Sequence, residues 1–373
     1  VFLHGIFGST LIDPKTGATR YITASSSLGL YTPDICLPIE WVDGKQKSDG
    51  LVPGRVIESV GPVNIYGKLL DFLRGTFGKD LVHPFAYDWR RDNRESRDNL
   101  IEKLEEINSK QGKPIVIGHS NGGLVTFLAV NERPELFYGA ICVGSPFGPG
   151  VGFMHDFHSY NQIGFNKSIL SAHVLMTHAS YFCFFSSDRE VESKQWEGPG
   201  PGKLDPVKDI FNAEEWKKLS LGIFGMETPR NYPDPKGGEF MEHLRNALSS
   251  GKAVRTLINK VKEDLPYPPI AIVASKAHKT KLNASFDARY FGTEDVEGEK
   301  STERKKNERN PRRPLKDNRH LLKWELEDGD NRVLFHNAMP PRGVPVAAVV
   351  QTTHAHGELT NDLKAMTQAL IAM

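Results

Sequence analysis

Ser120 stands in the stretch Gly-His-Ser-Asn-Gly, residues 118–122. A serine hydroxyl is a weak nucleophile until a histidine takes its proton, an acid orients that histidine, and N–H donors receive the developing oxyanion. The residues before it, 114–117, form a short apolar run with β-branched members. Those after it, Leu124, Phe127 and Leu128, recur at helical spacing. A strand that turns sharply into a helix forces its central residue into strained backbone, and small neighbours two positions away let the two elements approach. The pentapeptide alone is a common match, and an ordinary glycine-rich turn would carry the same letters. The strand before it and the helix after it supply the context the motif demands, and together they predict a nucleophile elbow at Ser120.

The partners must then be found. In folds built around such an elbow the chain order is serine, acid, histidine. Three histidines come late enough: His336, His354 and His356. Residues 346–359 read as a strand followed by a loop. His356 lies in that loop, just before Gly357, where the backbone is free to swing a ring over the strand ends, and it leads on this placement. His354 reads as the strand's end with a structural role, and His336, nearer the acid loop, stands third. The run Glu-Asp-Gly-Asp-Asn-Arg-Val, 327–333, offers Asp328 and Asp330. Asp330, directly after Gly329, is favoured; the competing reading is that both aspartates only make Asx turns. For the oxyanion, the backbone N–H of Asn121 is one expected donor. The N–H of Ile6, in the early loop His4-Gly-Ile-Phe-Gly8, is the other. His4 precedes the serine and is read as packing that loop. Such chemistry calls for no metal and no organic cofactor.

The elements that must hold these residues alternate. Strand patterns at 1–3, 81–87, 114–117, 139–143, 270–274 and 344–351 are separated by helical patterns at 65–73, 96–107 and after Ser120, with 365–371 closing the chain. This is an α/β arrangement with a mostly parallel sheet. Residues 13–60 carry turn formers and read as a long surface excursion. Between 147 and about 265 the pattern is helical without convincing strands. The expected organisation is therefore an α/β-hydrolase core from 1–149 and 266–373, an inserted helical cap at 150–265, and a basic surface insertion at 294–320. Residues 300–319 hold nine Lys or Arg against three acidic residues. A solvated loop is the preferred reading there, and a patch for anionic lipid headgroups the rival. The apolar run 173–185 either lines an acyl pocket or packs as a buried helix.

Composition bounds the rest. Of 373 residues, 39% are hydrophobic and 25% charged, with a formal net charge of +1, which argues against global attraction to nucleic acid. No apolar run is long enough for a transmembrane helix. Val1 opens directly on a core strand pattern, which suggests a segment preceding it. Cys36, Cys142 and Cys183 have no metal-ligand spacing, and Cys142 reads as core.

Several of these stretches together resemble the lecithin:cholesterol acyltransferase family, which includes lysosomal phospholipase A2 and the phospholipid:diacylglycerol acyltransferases. Phe85-Ala-Tyr-Asp-Trp-Arg-Arg-Asp92 is the most specific match. Residues 4–9, 118–123, 144–150, 328–333 and 354–359 resemble that family's oxyanion loop, serine elbow, Gly-x-Pro turn, acid loop and histidine loop. The resemblance implies a Ser120, Asp330, His356 set, a structural or site-shaping role for 87–90, and a buried Asp88–Arg90 pair. His4 replaces the usual proline, Arg332 replaces the usual threonine, and the paired cysteines of the animal enzymes' early lid are missing; Trp41 weakly resembles that lid's tryptophan. The expected activity is hydrolysis or O-acyl transfer of lipid esters, with a lipid or other acyl-ester substrate and peripheral contact with a lipid surface. The alternatives are a carboxylesterase or thioesterase on non-lipid esters, or a non-catalytic lipid-binding protein with the same fold.

Overall fold

A computed structural model describes residues 1–186, 207, 209–229, 232–262, 264–286 and 322–373, with 196–197. The basic insertion expected at 294–320 lies outside the described residues. The strands that matter here are β1 (Phe2–Leu3), β2 (Pro84–Phe85), β3 (Ile115–His119), β4 (Gly139–Val143), β5 (Ile270–Ser275), β6 (His278–Phe286), β7 (Leu322–Gly329) and β8 (Ala348–Thr352). Six of them form one sheet in the order β8-β5-β4-β3-β1-β2, parallel at every step.

Side chains alternate across this sheet as the pleat requires, and both faces are apolar, which is why β3, β4 and β5 read as unbroken hydrophobic runs. Ile117, Ile141, Val143, Ala271 and Val273 pack with Leu69, Leu70 and Leu73 of helix α1 (Gly67–Phe77). The odd-numbered face is completed by Ala365, Met366 and Ala369 near the C-terminus. Val116, Ala140, Cys142, Ile270 and Ile272 face the other way. They meet Leu100 and Leu104 of α2 (Asn93–Gln111) and the almost wholly buried α3 (Asn121–Glu132). The same layer takes in α4 (Gly238–Asn259), and α5 (Leu363–Ile371) supplies the C-terminal residues just named.

Among the described residues, those between β4 and β5 contribute no strand to the central sheet. Their apolar side chains do not form a separate core: Phe153, Phe157, Phe182, Trp216 and Leu244 share one continuous cluster with Val116, Cys142 and Ile272. The run 173–185 is buried in that cluster. One short strand, Trp196–Glu197, pairs with β6 in the stretch read as strandless. The early segment read as a surface excursion holds a small antiparallel sheet of Ser9–Ile12, Thr19–Tyr21 and Val52–Val56. It buries Tyr21, Ile35 and Leu37, which its many turn formers concealed.

The largest departure from the sequence pattern follows β5. The chain does not turn into a helix; β6 and β7 form an antiparallel ribbon. Thr280, Leu282, Ala284 and Phe286 in β6, and Leu322, Trp324 and Leu326 in β7, alternate with polar residues, the period-two pattern of a strand. Asp330 sits at the foot of this ribbon. Among the described residues no helix is long and apolar enough to cross a membrane.

Candidate active site

β3 runs into α3 through Ser120, whose φ of 53° and ψ of −121° place a non-glycine residue in left-handed backbone. The glycines around it are required by contact. A Cβ on Gly118 would lie 2.6 Å from the Gly122 carbonyl oxygen, and one on Gly122 would lie 2.4 Å from that of His4. The turn is anchored by the Ser120 N–H, which donates to Val143 O at 2.8 Å. Its hydroxyl is thereby lifted at the C-terminal edge of the sheet.

His356 comes from the loop after β8, as its position before Gly357 suggested. Its Nε2 lies 2.9 Å from Ser120 Oγ, and its Nδ1 lies 2.8 Å from Asp330 Oδ2. Because the carboxylate can only accept, Nδ1 carries the proton and Nε2 is left to accept from the serine. The His356 N–H also donates to the Asp330 carbonyl at 2.8 Å. Asp330 is 1% exposed. Its other oxygen accepts the N–H groups of Arg332 and Val333 at 2.9 and 2.6 Å. Burial alone would raise its pKa; the facing imidazole and these two N–H groups outweigh that and hold it below the usual carboxylate value. Gly144 passes beside this pair, where a Cβ would stand 3.2 Å from Asp330 Oδ2 and 3.3 Å from His356 Nδ1.

The rival residues lie elsewhere. Asp328 is exposed and pairs with Lys279 at 2.7 Å, and His336 stands 3.4 Å from Glu327. His354 sits 3.1 Å from Thr352 Oγ1 and near Asp362.

Asn121 directly follows the serine, and the loop that carries Ile6 passes beside it at Gly5. Asn121 opens α3, and its amide side chain exchanges hydrogen bonds with Asn93 at 2.8 and 2.9 Å. It also donates to Tyr87 Oη at 3.2 Å. Gly5, before Ile6, lies against the serine: a Cβ there would stand 3.0 Å from Ser120 Cβ. The Gly5 carbonyl accepts His4 Nδ1–H at 2.7 Å and the Gly8 N–H at 3.1 Å. A trans peptide puts N–H and C=O on opposite sides, so these two donors aim the Ile6 N–H away from His4. His4 itself is fully buried and stacks on Tyr87 with ring centroids 4.3 Å apart. Phe7 leans on Trp89 and Tyr181.

Arg90 is fully buried and pairs with Asp88 at 2.8 Å, as the motif implied, and also with Asp49 at 2.5 Å. The arginine at 332, the departure in the acid loop, has a partner of its own. Its guanidinium meets buried Asp156, with Nη1 3.0 Å from Oδ1, and covers the Phe153 ring. Trp41 Nε1 donates to His243 at 3.0 Å. A cavity of about 580 Å³ lined by Lys276, Thr352, Asp362 and Lys364 shares no residue with this cluster.

A six-stranded parallel sheet, an elbow serine after its central strand and a histidine after its last strand define the class. The fold is that of an α/β-hydrolase. A chain of the Tle4–Tli4 complex superposes on 100% of this chain and 96% of its own length, with a TM-score of 0.58 and 14% sequence identity, a likeness of fold alone. A monoacylglycerol lipase from Paleococcus ferrophilus overlaps at a TM-score of only 0.26, with 14% identity over 59% of this chain and 70% of that one. An uncharacterized protein of Saccharomyces cerevisiae is 24% identical over 414 residues, covering 100% of this chain. The chain spans 61% of that relative's length. No family model matches.

Two contributors to the site were missing from the sequence reading. His119, the variable second position of the elbow, and Tyr66, before α1, both hydrogen-bond within it. The first sat inside the motif, and its burial beside the serine followed from the motif's geometry; the second carried no motif at all.

Proposed function

We propose that this chain is a serine-dependent acyl-ester hydrolase that acts on lipid esters through Ser120, His356 and Asp330. The observation that carries this reading is the unbroken line Ser120 Oγ–His356 Nε2, His356 Nδ1–Asp330 Oδ2, at 2.9 and 2.8 Å, on a strained elbow. His356 takes the serine proton as Oγ bonds to the ester carbonyl carbon. Asp330 holds the imidazole in the accepting tautomer and stabilises the imidazolium. The N–H groups of Ile6 and Asn121 receive the oxyanion. Collapse breaks the bond to the alkoxy group, which leaves as the alcohol with the proton from His356 and leaves an acyl-serine. Water, deprotonated by His356, then releases the carboxylic acid; an alcohol in its place gives acyl transfer.

The lipid assignment rests on the resemblance of 85–92, 118–123 and 354–359 to the lecithin:cholesterol acyltransferase family, and on one surface feature. Leu28, Leu30 and Tyr31 are 54, 78 and 52% exposed beside Phe165 at 75%. Asn166 ties the two loops by donating to Ser26 O at 2.9 Å and Thr32 Oγ1 at 3.0 Å. These side chains would face a lipid surface, and replacing Leu30 and Phe165 by serine is expected to reduce flotation with phosphatidylcholine vesicles.

The decisive experiment is labelling by a fluorophosphonate probe with product identification on mixed phospholipid vesicles, with and without a sterol or diacylglycerol acceptor. Labelling of the native chain and not of Ser120→Ala, with release of fatty acid, is the expected result. A native chain labelled no better than Ser120→Ala would refute the enzyme, and acyl acceptor product would assign transfer rather than hydrolysis.

A further inference from the structure

His119 is 4% exposed and lies between the histidine loop and the oxyanion loop. Its Nε2 is 2.9 Å from the His356 carbonyl oxygen. Its Nδ1 is 2.9 Å from Tyr66 Oη, and the same Oη is 3.0 Å from the Gly5 amide nitrogen. Only one assignment of protons satisfies all three contacts with a neutral ring. A carbonyl cannot donate, so Nε2 must carry the hydrogen; Nδ1 is then an acceptor and receives the Tyr66 O–H. The tyrosine oxygen in turn accepts the Gly5 N–H. Burial disfavours the charged imidazole and pushes its pKa down to about 3, so this tautomer holds across the neutral range. Burial likewise raises the Tyr66 hydroxyl, which stays protonated.

We infer that Tyr66 and His119 form a neutral, one-way hydrogen-bond relay, Gly5 N–H to Tyr66, Tyr66 to His119, His119 to His356 C=O, that holds the oxyanion loop and the general base in register about Ser120. Each end of the relay meets a second restraint. At one end, the His356 backbone is gripped on both sides, its N–H by Asp330 O and its C=O by His119. At the other, Gly5 is gripped at its N–H by Tyr66 and at its C=O by His4. The peptides on both sides of Gly5 are thereby held, the His4–Gly5 unit at its N–H by Tyr66 and the Gly5–Ile6 unit at its C=O by His4 and the Gly8 N–H, so the Ile6 N–H is aimed before substrate arrives. Tyr66 and His119 touch no reacting atom and are positioning residues. Preorganised donors matter because a small misplacement of a reacting group can cost about 100-fold in rate.

This inference rests on the serine-hydrolase reading, and the test separates the two. Steady-state hydrolysis of a p-nitrophenyl acyl ester is measured for the full chain and for Tyr66→Phe, His119→Phe, His119→Gln and the Tyr66→Phe/His119→Phe double variant. Tyr66→Phe and His119→Phe are each expected to lower kcat about 10- to 100-fold with KM changed less than about twofold. The double variant should fall little further, since one relay is cut in either case. His119→Gln keeps a donor and an acceptor on one planar group and is expected to recover much of the loss. A loss of packing alone would not be rescued in this way, and would not fall on kcat alone. Wild-type kcat in Tyr66→Phe, or equal activity of His119→Phe and His119→Gln, would overturn the relay while leaving the hydrolase intact. A native chain that neither reacts with fluorophosphonate nor hydrolyses the ester would sink both. The ¹⁵N spectrum of the native chain labelled at histidine reads the relay without any variant. A neutral His119 with its proton on Nε2 at pH 5 is expected, and a charged ring or an Nδ1–H tautomer refutes it.

Discussion

Changing Asp330 to Asn tests the proposed acid at nearly constant shape. The Oδ1 position still accepts the Arg332 and Val333 N–H groups, at 2.9 and 2.6 Å in the native chain, because those two donors require an oxygen there. The NH₂ of the amide is then forced to the position of Oδ2, 2.8 Å from His356 Nδ1. Two donors cannot face each other, so the imidazole must move its proton to Nε2, which then points at Ser120 and cannot take the serine hydrogen. Lost base tautomer and lost imidazolium stabilisation together cost a serine hydrolase about 10,000-fold in kcat, or roughly 5.4 kcal/mol of transition-state stabilisation. The assay is kcat and KM for a soluble acyl ester, with thermal melting to show that the variant is folded. Asp328→Asn is the control: its carboxylate is exposed and pairs with Lys279, and its activity should stay within about twofold. An Asp330→Asn enzyme within tenfold of the native rate, or an inactive Asp328→Asn, would refute the assignment.

Three further outcomes are expected. His356→Ala should abolish turnover by several orders of magnitude and add little to Ser120→Ala, while His354→Ala should be mild; the reverse order in a kcat/KM comparison would exchange their roles. Gly122→Ala should destabilise by about 1–3 kcal/mol and lower the rate, because its Cβ would meet the His4 carbonyl oxygen at 2.4 Å and backbone cannot yield as a side chain does; denaturant melts and ester assays read both. Burial holds His4, His173 and His243 neutral with pKa near 4, and His119 and His178 near 3. In the unfolded chain these groups bind protons below about 6.5, so their contribution to stability is complete above that pH. It is lost as pH falls towards 4, at about 1.4 kcal/mol per unit for each group; a melting temperature that did not drop between pH 7 and pH 5 would contradict this.

The elbow could be read from the sequence because it is local: the glycines at 118 and 122, the apolar run before them and the helical spacing after them are set by steric contact within a few residues. The parallel sheet was legible for a similar reason, since strands buried on both faces show as unbroken apolar runs at 114–117, 139–143 and 270–274. The pairing of His278–Phe286 with Leu322–Gly329 was not, because each strand carries a period-two pattern of its own but nothing local joins residues so far apart in the chain. The roles of Tyr66, His119, Asp156 and Asp49 belong to the same group. A tyrosine, a histidine or an aspartate reveals nothing of its partner until the chain closes, since hydrogen bonds and ion pairs depend on ångström-scale distance and direction rather than on order. Residue type and local spacing thus determined which groups could do chemistry and which strand would carry the serine. Tertiary structure alone decided that the imidazole of His356 comes to lie between Ser120 and Asp330, and which buried groups hold it there.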